Sequence, residues 1–315
     1  MTISNKIIPS GIYSPVTTFF EDDPENSLDL ESQVEHAKML YTNGITGLLV
    51  SGSLGECVHL SIRERYNIVS AIRAAIPDEN FKLISGAPPL GCIREAIEES
   101  KSAFKAGADF IILLVPGYFG PSLTSQQGII EYFTKIADES SLPIIIYNYP
   151  GTCNNVTLTI ETYEALSLHP NIVGVKLTHF DMDLYTLVGN SPTIRKANFK
   201  AFTGLGQILV PAMSVGISGA IDGLSALFPK VMVKLFNLIK EGNIQEASRI
   251  QYFVTRAERM IAEMNVIGVK YALKEIYGYG KFLGGRPPLN NVSLLGSYKK
   301  YKLDLETLAQ LEKSL

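Results

Sequence analysis

Lys176 is the residue whose placement calls for a chemical account. It lies in Ile172-Val173-Gly174-Val175-Lys176-Leu177, an apolar, β-leaning run. The chain turns polar directly afterwards, at Thr178, His179 and Asp181. That order puts Lys176 near the C-terminal end of a buried strand. Desolvation disfavours an ammonium, so such an amine titrates below its free value of about 10.4. A neutral amine there is a nucleophile toward a carbonyl carbon. A strand-end lysine snorkelling to water satisfies the same spacing.

Three further features bear on that chemistry. Tyr147 ends the apolar run Pro143–Tyr147, one strand before Lys176. A phenol at that mouth can shuttle protons; a core tyrosine with a satisfied hydroxyl reads the same way. The turn Gly52-Ser53-Leu54-Gly55-Glu56 frees backbone N–H groups that suit a carboxylate, with the Ser53 hydroxyl as an extra donor. An ordinary tight loop is the alternative. His179 follows the Lys176 strand, where it either touches a distal substrate hydroxyl or sits solvated. His36, His59 and His169 have no ligand spacing, so no metal is expected. Glu56 reads as a structural carboxylate.

The elements that must position these residues alternate. Strand-like runs are Gly11–Phe20, Gly47–Val50, Phe81–Gly86, Phe110–Val115, Pro143–Tyr147, the Lys176 run, Phe199–Thr203 and Gly219–Ile221. Helical spacing fills the gaps at Leu28–Tyr41, Ser61–Ile76, Arg94–Lys105, Ser125–Ser140, Thr159–Leu168, Asp183–Val188, Gln207–Val215 and Pro229–Lys240. Gly44, Pro77, Gly107 and Gly242 stop helices, and Ser61 with Glu64 forms a capping box. The strands are short continuous apolar runs, as in parallel sheets covered on both faces. Eight such units over about 240 residues match a (β/α)8 TIM barrel. A doubly wound open sheet is disfavoured, because no Gly-x-Gly-x-x-Gly turn follows the first strand. Beyond Gly242 the strand signals vanish. Helices are expected over Ile244–Met264, Val269–Tyr277 and Leu303–Lys313, with a Gly- and Pro-rich loop over Gly278–Val292. The expected organisation is a barrel over residues 1–242 and a helical extension over 243–315.

Composition narrows the class. The 315 residues are 46% hydrophobic and carry a net charge of -3, enough for a large core and without the basic footprint of a nucleic-acid binder. Cys57, Cys92 and Cys153 lie far apart, which fits neither a disulfide framework nor a zinc site. No apolar run approaches the roughly 20 residues of a membrane helix, and a cytoplasmic protein is expected.

The Gly-Ser-Leu-Gly-Glu turn, the loop Pro116-Gly117-Tyr118-Phe119-Gly120-Pro121, the strand end Tyr147-Asn148-Tyr149-Pro150 and the Lys176 strand occur in order. Together they resemble the dihydrodipicolinate synthase / N-acetylneuraminate lyase superfamily of pyruvate-dependent class I aldolases, over the whole chain. The resemblance implies that Lys176 forms an imine with the keto carbon of pyruvate and that no other cofactor is needed. It implies that Tyr147 relays protons, that Ser53 holds the pyruvate carboxylate and links the relay, and that Tyr118 enters a neighbouring subunit's site. Gly204 would line the substrate, and the Ile221 backbone carbonyl would lie near the imine. A homo-oligomer, dimer or tetramer of dimers, would follow, with a small-molecule 2-oxo acid and an aldehyde as partners.

Departures from the family pattern narrow the substrate. Leu54 replaces a second hydroxyl residue of the turn. Gly151-Thr152-Cys153-Asn154 lacks the arginine that synthases carry after the strand end, leaving Thr152 as a neutral contact. Leu205-Gly206-Gln207 lacks the acidic residues of sialate lyases. The fungal-type 2-keto-3-deoxy sugar acid aldolases, of the L-threo-3-deoxy-hexulosonate kind, resemble this region best. The expected activity is retro-aldol cleavage to pyruvate and a hydroxy-aldehyde. A 4-hydroxy-2-oxoglutarate aldolase, a keto-deoxy acid dehydratase and a non-catalytic 2-oxo acid sensor are the alternatives.

Overall fold

Eight short runs of aliphatic residues close on themselves in a computed structural model that describes residues 7–89, 91–289 and 295–315. The strands are β1 Gly11–Pro15, β2 Gly47–Val50, β3 Lys82–Gly86, β4 Phe110–Leu114, β5 Ile144–Asn148, β6 Ile172–Leu177, β7 Lys200–Thr203 and β8 Gly219–Ile221. They pair in sequence order, and β8 pairs with β1 to complete a closed parallel barrel. The connecting helices are α1 Leu30–Thr42, α2 Ile62–Ala75, α3 Ile93–Ala106, α4 Gln126–Glu139, α5 Ile160–Ser167, α6 Met182–Asn190, α7 Pro192–Lys196, α8 Leu209–Ser214 and α9 Pro229–Lys240. After them come α10 Ile244–Tyr277, α11 Leu295–Tyr298 and α12 Lys302–Ser314.

Alternation along the strands sorts side chains into two apolar layers. Tyr13, Leu49, Ile84, Ile112, Ile145, Tyr147, Phe202 and Ile221 fill the barrel interior. The residues between them, such as Leu48, Ile111, Ile146 and Val175, pack outward against the helices. β6 breaks strict alternation. A register shift against β5 falls between Ile144, opposite Ile172, and Ile145, opposite Gly174. Ile172, Val175 and Leu177 all join the outer layer, so the shift is what turns Lys176 inward.

Several expected boundaries move. β1 stops at Pro15 rather than Phe20. Past it the chain crosses the barrel rim, where Thr18 Oγ1 donates to Gly55 O at 2.7 Å and Phe20 makes an isolated antiparallel bridge to Leu28. A second short helix, α7, follows α6, started by the Ser191 cap and Pro192. The run expected as one helix over Gln207–Val215 is a 3-10 turn, Gly206–Ile208, and then α8. The capping box of α2 is present as expected. The two helices expected either side of residues 265–268 are one long run, α10, broken only at Asn265 (φ 48°, ψ -137°). The expected loop over Gly278–Val292 holds no helix or strand up to residue 289; residues 290–292 lie outside those described.

The chain turns from α9 to α10 at Gly242, and α10 and α12 return to the barrel. Val254, Met260, Leu273 and Leu305 belong to the same apolar cluster as the outer faces of the strands. A buried ion pair fastens the two parts. Lys270 Nζ on α10 lies 2.5 Å from Glu56 Oε1, at the end of the turn after β2, with both side chains 1% exposed. Lys270 also donates to Gly284 O at 2.9 Å. Glu56 is thus the structural carboxylate expected of it. Among the described residues, no helix is long and apolar enough to cross a membrane.

Removing one partner of a buried pair strands the other charge. Lys270→Ala is expected to lose about 3–5 kcal/mol of unfolding free energy in urea. The double variant Lys270→Met with Glu56→Gln is expected to recover most of it. Equal losses in single and double variants would mean that packing, not charge, holds the clamp.

Candidate active site

The inward turn of β6 and the register with β5 set Lys176 directly opposite Tyr147, while its other neighbour is Phe202 on β7. The ammonium lies 4.3 Å from the centroid of the Tyr147 ring, a cation–π distance. Both side chains are 4% exposed. Burial lowers the Lys176 amine to about 7, against an opposing pull from the Asp222 carboxyl. Burial also raises the Tyr147 phenol to about 12, offset in part by the hydroxyls of Ser53 and Thr178 that face it. The pairing is therefore an amine with a large neutral fraction near pH 7 beside a phenol that keeps its proton. Such a pair can attack a carbonyl and donate a proton to what leaves.

The cavity around Lys176 has a volume of about 300 Å³. Ser53, Leu54, Tyr147, Gly204 and Ile221 line it, as the sequence pattern implies. The turn after β2 spends the N–H groups of Gly55, Glu56 and Cys57 on Gly52 and Ser53 carbonyls. The N–H groups of Ser53 and Leu54 take no such bond and remain to meet an anion. Gly204 is fitted closely: a Cβ there would lie 3.0 Å from Lys176 Cε and 1.9 Å from Thr178 Oγ1.

Two expected residues are placed elsewhere. Thr152 lines a second lobe of about 480 Å³ that shares Ser53, Tyr147, Tyr149 and Asn265 with the first. Its hydroxyl donates to Tyr149 O at 3.1 Å. Tyr118 lines neither lobe and is 89% exposed on the loop after β4. Within one chain it has no site to enter. His179 does line the Lys176 cavity; its Nδ1 accepts from Asp181 N–H at 3.3 Å and its Nε2 is buried without a partner.

Among the described residues, neither lobe is lined by an arginine or by any lysine other than Lys176. Arg286, the cation of the C-terminal loop, is held by Glu64, Asn26 O and His59 O and stacks on Phe20. Among the described residues, no cluster of His, Cys, Asp and Glu could hold a metal ion.

Sequence reasoning passed over four residues here. Thr178 was visible as the polar residue after the strand. Asp222 directly follows β8 and could have been found by the same rule that found Tyr147. Asn265 borders both lobes, but only its left-handed backbone marks it. Glu258 lines the cavity from α10, and a carboxylate in an Arg- and Glu-rich helix carries no signal of burial.

The model of the dihydrodipicolinate synthetase family matches residues 8–306. An L-threo-3-deoxy-hexylosonate aldolase of Aspergillus niger is 33% identical over 306 residues, with 90% of each chain covered. A protein of Emericella nidulans named as a probable mitochondrial 4-hydroxy-2-oxoglutarate aldolase is 32% identical over 286 residues, with 89% of each chain covered. The solved structure of an E. coli K12 prophage protein of the dihydrodipicolinic acid synthase family, in complex with pyruvate, superposes with a TM-score of 0.82 at 26% identity, over 96% of this chain and 98% of that one.

Tyr147→Phe is expected to cut turnover by roughly 10²–10⁴-fold, the usual range for a general acid–base group, while imine formation with a 2-oxo acid partly survives. Turnover within a few-fold of the parent would remove Tyr147 from the chemistry.

Proposed function

The chain belongs to the dihydrodipicolinate synthetase family, and from that premise we propose that it cleaves a 2-keto-3-deoxy sugar acid to pyruvate and a hydroxy-aldehyde such as glyceraldehyde. It is a carbon–carbon lyase of the aldolase kind, as its named relatives are. The observation that carries the proposal is the buried amine of Lys176, paired with the Tyr147 phenol in a cavity lined, among the described residues, by no other lysine and no arginine.

In this reading the neutral Lys176 amine attacks the keto carbon, and the carbinolamine loses water to give a protonated imine. The Tyr147 phenol, linked to Ser53 and Thr178, relays the protons of that step. The imine then draws in the electron pair of the bond between the third and fourth carbons. The fourth-carbon hydroxyl passes its proton into the same Tyr147 relay, and the fourth carbon departs as the aldehyde. Protonation of the enamine and hydrolysis of the imine return pyruvate and the free amine. The substrate's carboxylate rests on the N–H groups of Ser53 and Leu54 and the Ser53 hydroxyl. No metal and no bound cofactor enters, because the imine serves as electron sink. The exposed Tyr118 fits a homo-oligomer in which it meets a second subunit.

The aldehyde half is proposed to be hydroxylated and uncharged. Gln207 and His179, both in the Lys176 cavity, offer neutral hydrogen bonds. A second carboxylate would lack a cation, and hydrogen bonds to charged groups are worth more than neutral ones.

Two measurements test this. Pyruvate with cyanoborohydride is expected to leave a reduced adduct on Lys176, located by peptide mass spectrometry; an adduct on another lysine with Lys176 untouched would sink the imine. The ratio of kcat/KM values, at equal pH and ionic strength, is expected to favour a 2-keto-3-deoxy-hexonate over 4-hydroxy-2-oxoglutarate by roughly tenfold or more. The reverse preference would overturn the substrate and leave the mechanism standing. Loss of water without pyruvate release would identify a dehydratase instead.

A further inference from the structure

His179 brings to the wall of the Lys176 cavity a hydrogen-bond donor that the protein itself does not use. The residue follows β6 and lines that cavity. Its Nδ1 accepts the N–H of Asp181 at 3.3 Å. A backbone N–H only donates, so Nδ1 is bare and the neutral ring carries its proton on Nε2. Burial lowers the imidazole below its ordinary value, against the pull of the Asp181 carboxylate, which keeps the ring neutral near pH 7. The Nε2 atom is buried and has no partner among the described residues.

The ring is held in this orientation. It packs edge-on against Tyr185, with centroids 5.2 Å apart. Tyr185 is fixed in turn: its hydroxyl donates to Leu177 O at 2.7 Å and lies 3.0 Å from Thr203 Oγ1. Asp181, whose N–H meets Nδ1, caps α6 by accepting from Leu184 N–H at 3.0 Å. A buried donor with no partner is costly and calls for one.

The neighbouring loop supplies the complement. β7 pairs with β6, and the loop after it brings Gln207 to the same cavity, with Oε1 also buried and unpartnered. That loop is pinned to α10, because Gly206 O accepts from Gln251 Nε2 at 2.9 Å and Gln207 O from Thr255 Oγ1 at 3.1 Å. One cavity wall thus offers a spare donor and a spare acceptor. A hydroxyl accepts and donates, so it can meet both. A carboxylate only accepts, and a methylene does neither. The turn after β2, which takes the substrate's carboxylate in the reading above, lies across the closed barrel from β6. The departing half of the substrate therefore points toward His179.

We propose that His179 is the specificity-determining donor of this enzyme, its Nε2–H bonding the fifth-carbon hydroxyl of the keto-deoxy acid, the first hydroxyl of the departing aldehyde. This rests on the aldolase reading. The two nitrogens divide the work: Nδ1 orders the loop, and Nε2 reads the substrate.

The test uses the full chain and measures kcat/KM for pyruvate release from a 2-keto-3-deoxy-hexonate and from 4-hydroxy-2-oxobutanoate, which ends at the fourth carbon. The ratio of the two values reads the contact. His179→Asn keeps an acceptor near the Nδ1 position and removes the Nε2–H, so the ratio is expected to fall roughly tenfold or more. His179→Gln, whose amide reaches the Nε2 position, is expected to recover most of that ratio. An unchanged ratio in His179→Asn would overturn the assignment, as would a fall that His179→Gln does not recover. Absence of pyruvate release from both substrates by the parent would overturn the aldolase reading, and the assignment with it. If His179→Asn does not fold, the parent protein decides. A hexonate lacking only the fifth-carbon hydroxyl is expected to be cleaved roughly tenfold or more less efficiently, and equal efficiency would overturn the contact.

Discussion

An amine buried inside a closed barrel is the constraint on which the rest of this site depends. Lys176 is buried among the aliphatic and aromatic residues of the barrel interior, with the Tyr147 ring beside its amine. Desolvation of a charged nitrogen in such a place is costly, so the charge is offset or given up. The Tyr147 face offsets part of it through the ring quadrupole. Asp222 offsets another part through its charge; burial raises its own carboxyl to about 6, against the support of the Ser225 N–H. The outcome is an amine divided between two protonation states near neutral pH, which is what imine chemistry requires.

Holding that amine in place is the work of backbone pairing. The Cα register of Tyr147 with Lys176, and of Lys176 with Phe202, is fixed by two ladders that continue into the barrel wall. Neither Cα can move without breaking strand pairs, so the two side chains start from adjacent, fixed points on the barrel wall. The mouth above them is less uniform. It is assembled from the turn after β2, the residues after β6 and β8, and the kinked centre of α10. The buried Lys270–Glu56 pair joins that turn to that helix. Glu56 therefore serves the site by fixing the loop whose Ser53 faces Tyr147.

The C-terminal helices are part of the site as well as its cover. α10 supplies Glu258 to the Lys176 cavity and Asn265 to the boundary between the two lobes. Asn265 sits at φ 48° inside an otherwise continuous helix, and its Oδ1 accepts the N–H of Val266 at 2.8 Å, so the broken turn is closed by the side chain itself. A non-glycine residue held there stores backbone strain, and the chain places that strain where the two lobes join.

The amino-acid sequence determined the barrel, because eight apolar runs separated by helical spacing admit few other closed arrangements. It also determined that Lys176, Tyr147, Ser53, Leu54, Gly204 and Ile221 end up together, since each lies at or just beyond the C-terminal end of a strand, and parallel closure brings those ends to one rim. It did not determine which way Lys176 points. Counting alternately from Ile172, an outer-layer residue, sends Lys176 outward; only the register shift against β5 reverses it, and that shift arises from pairing with a distant segment. Nor could it separate Thr152 from the Lys176 cavity, because loop conformation after β5 is set by packing around it. Glu258 was illegible for the same reason. A glutamate on an amphipathic helix is normally solvated, and its burial against Asp222 exists only once α10 has folded back across the barrel mouth.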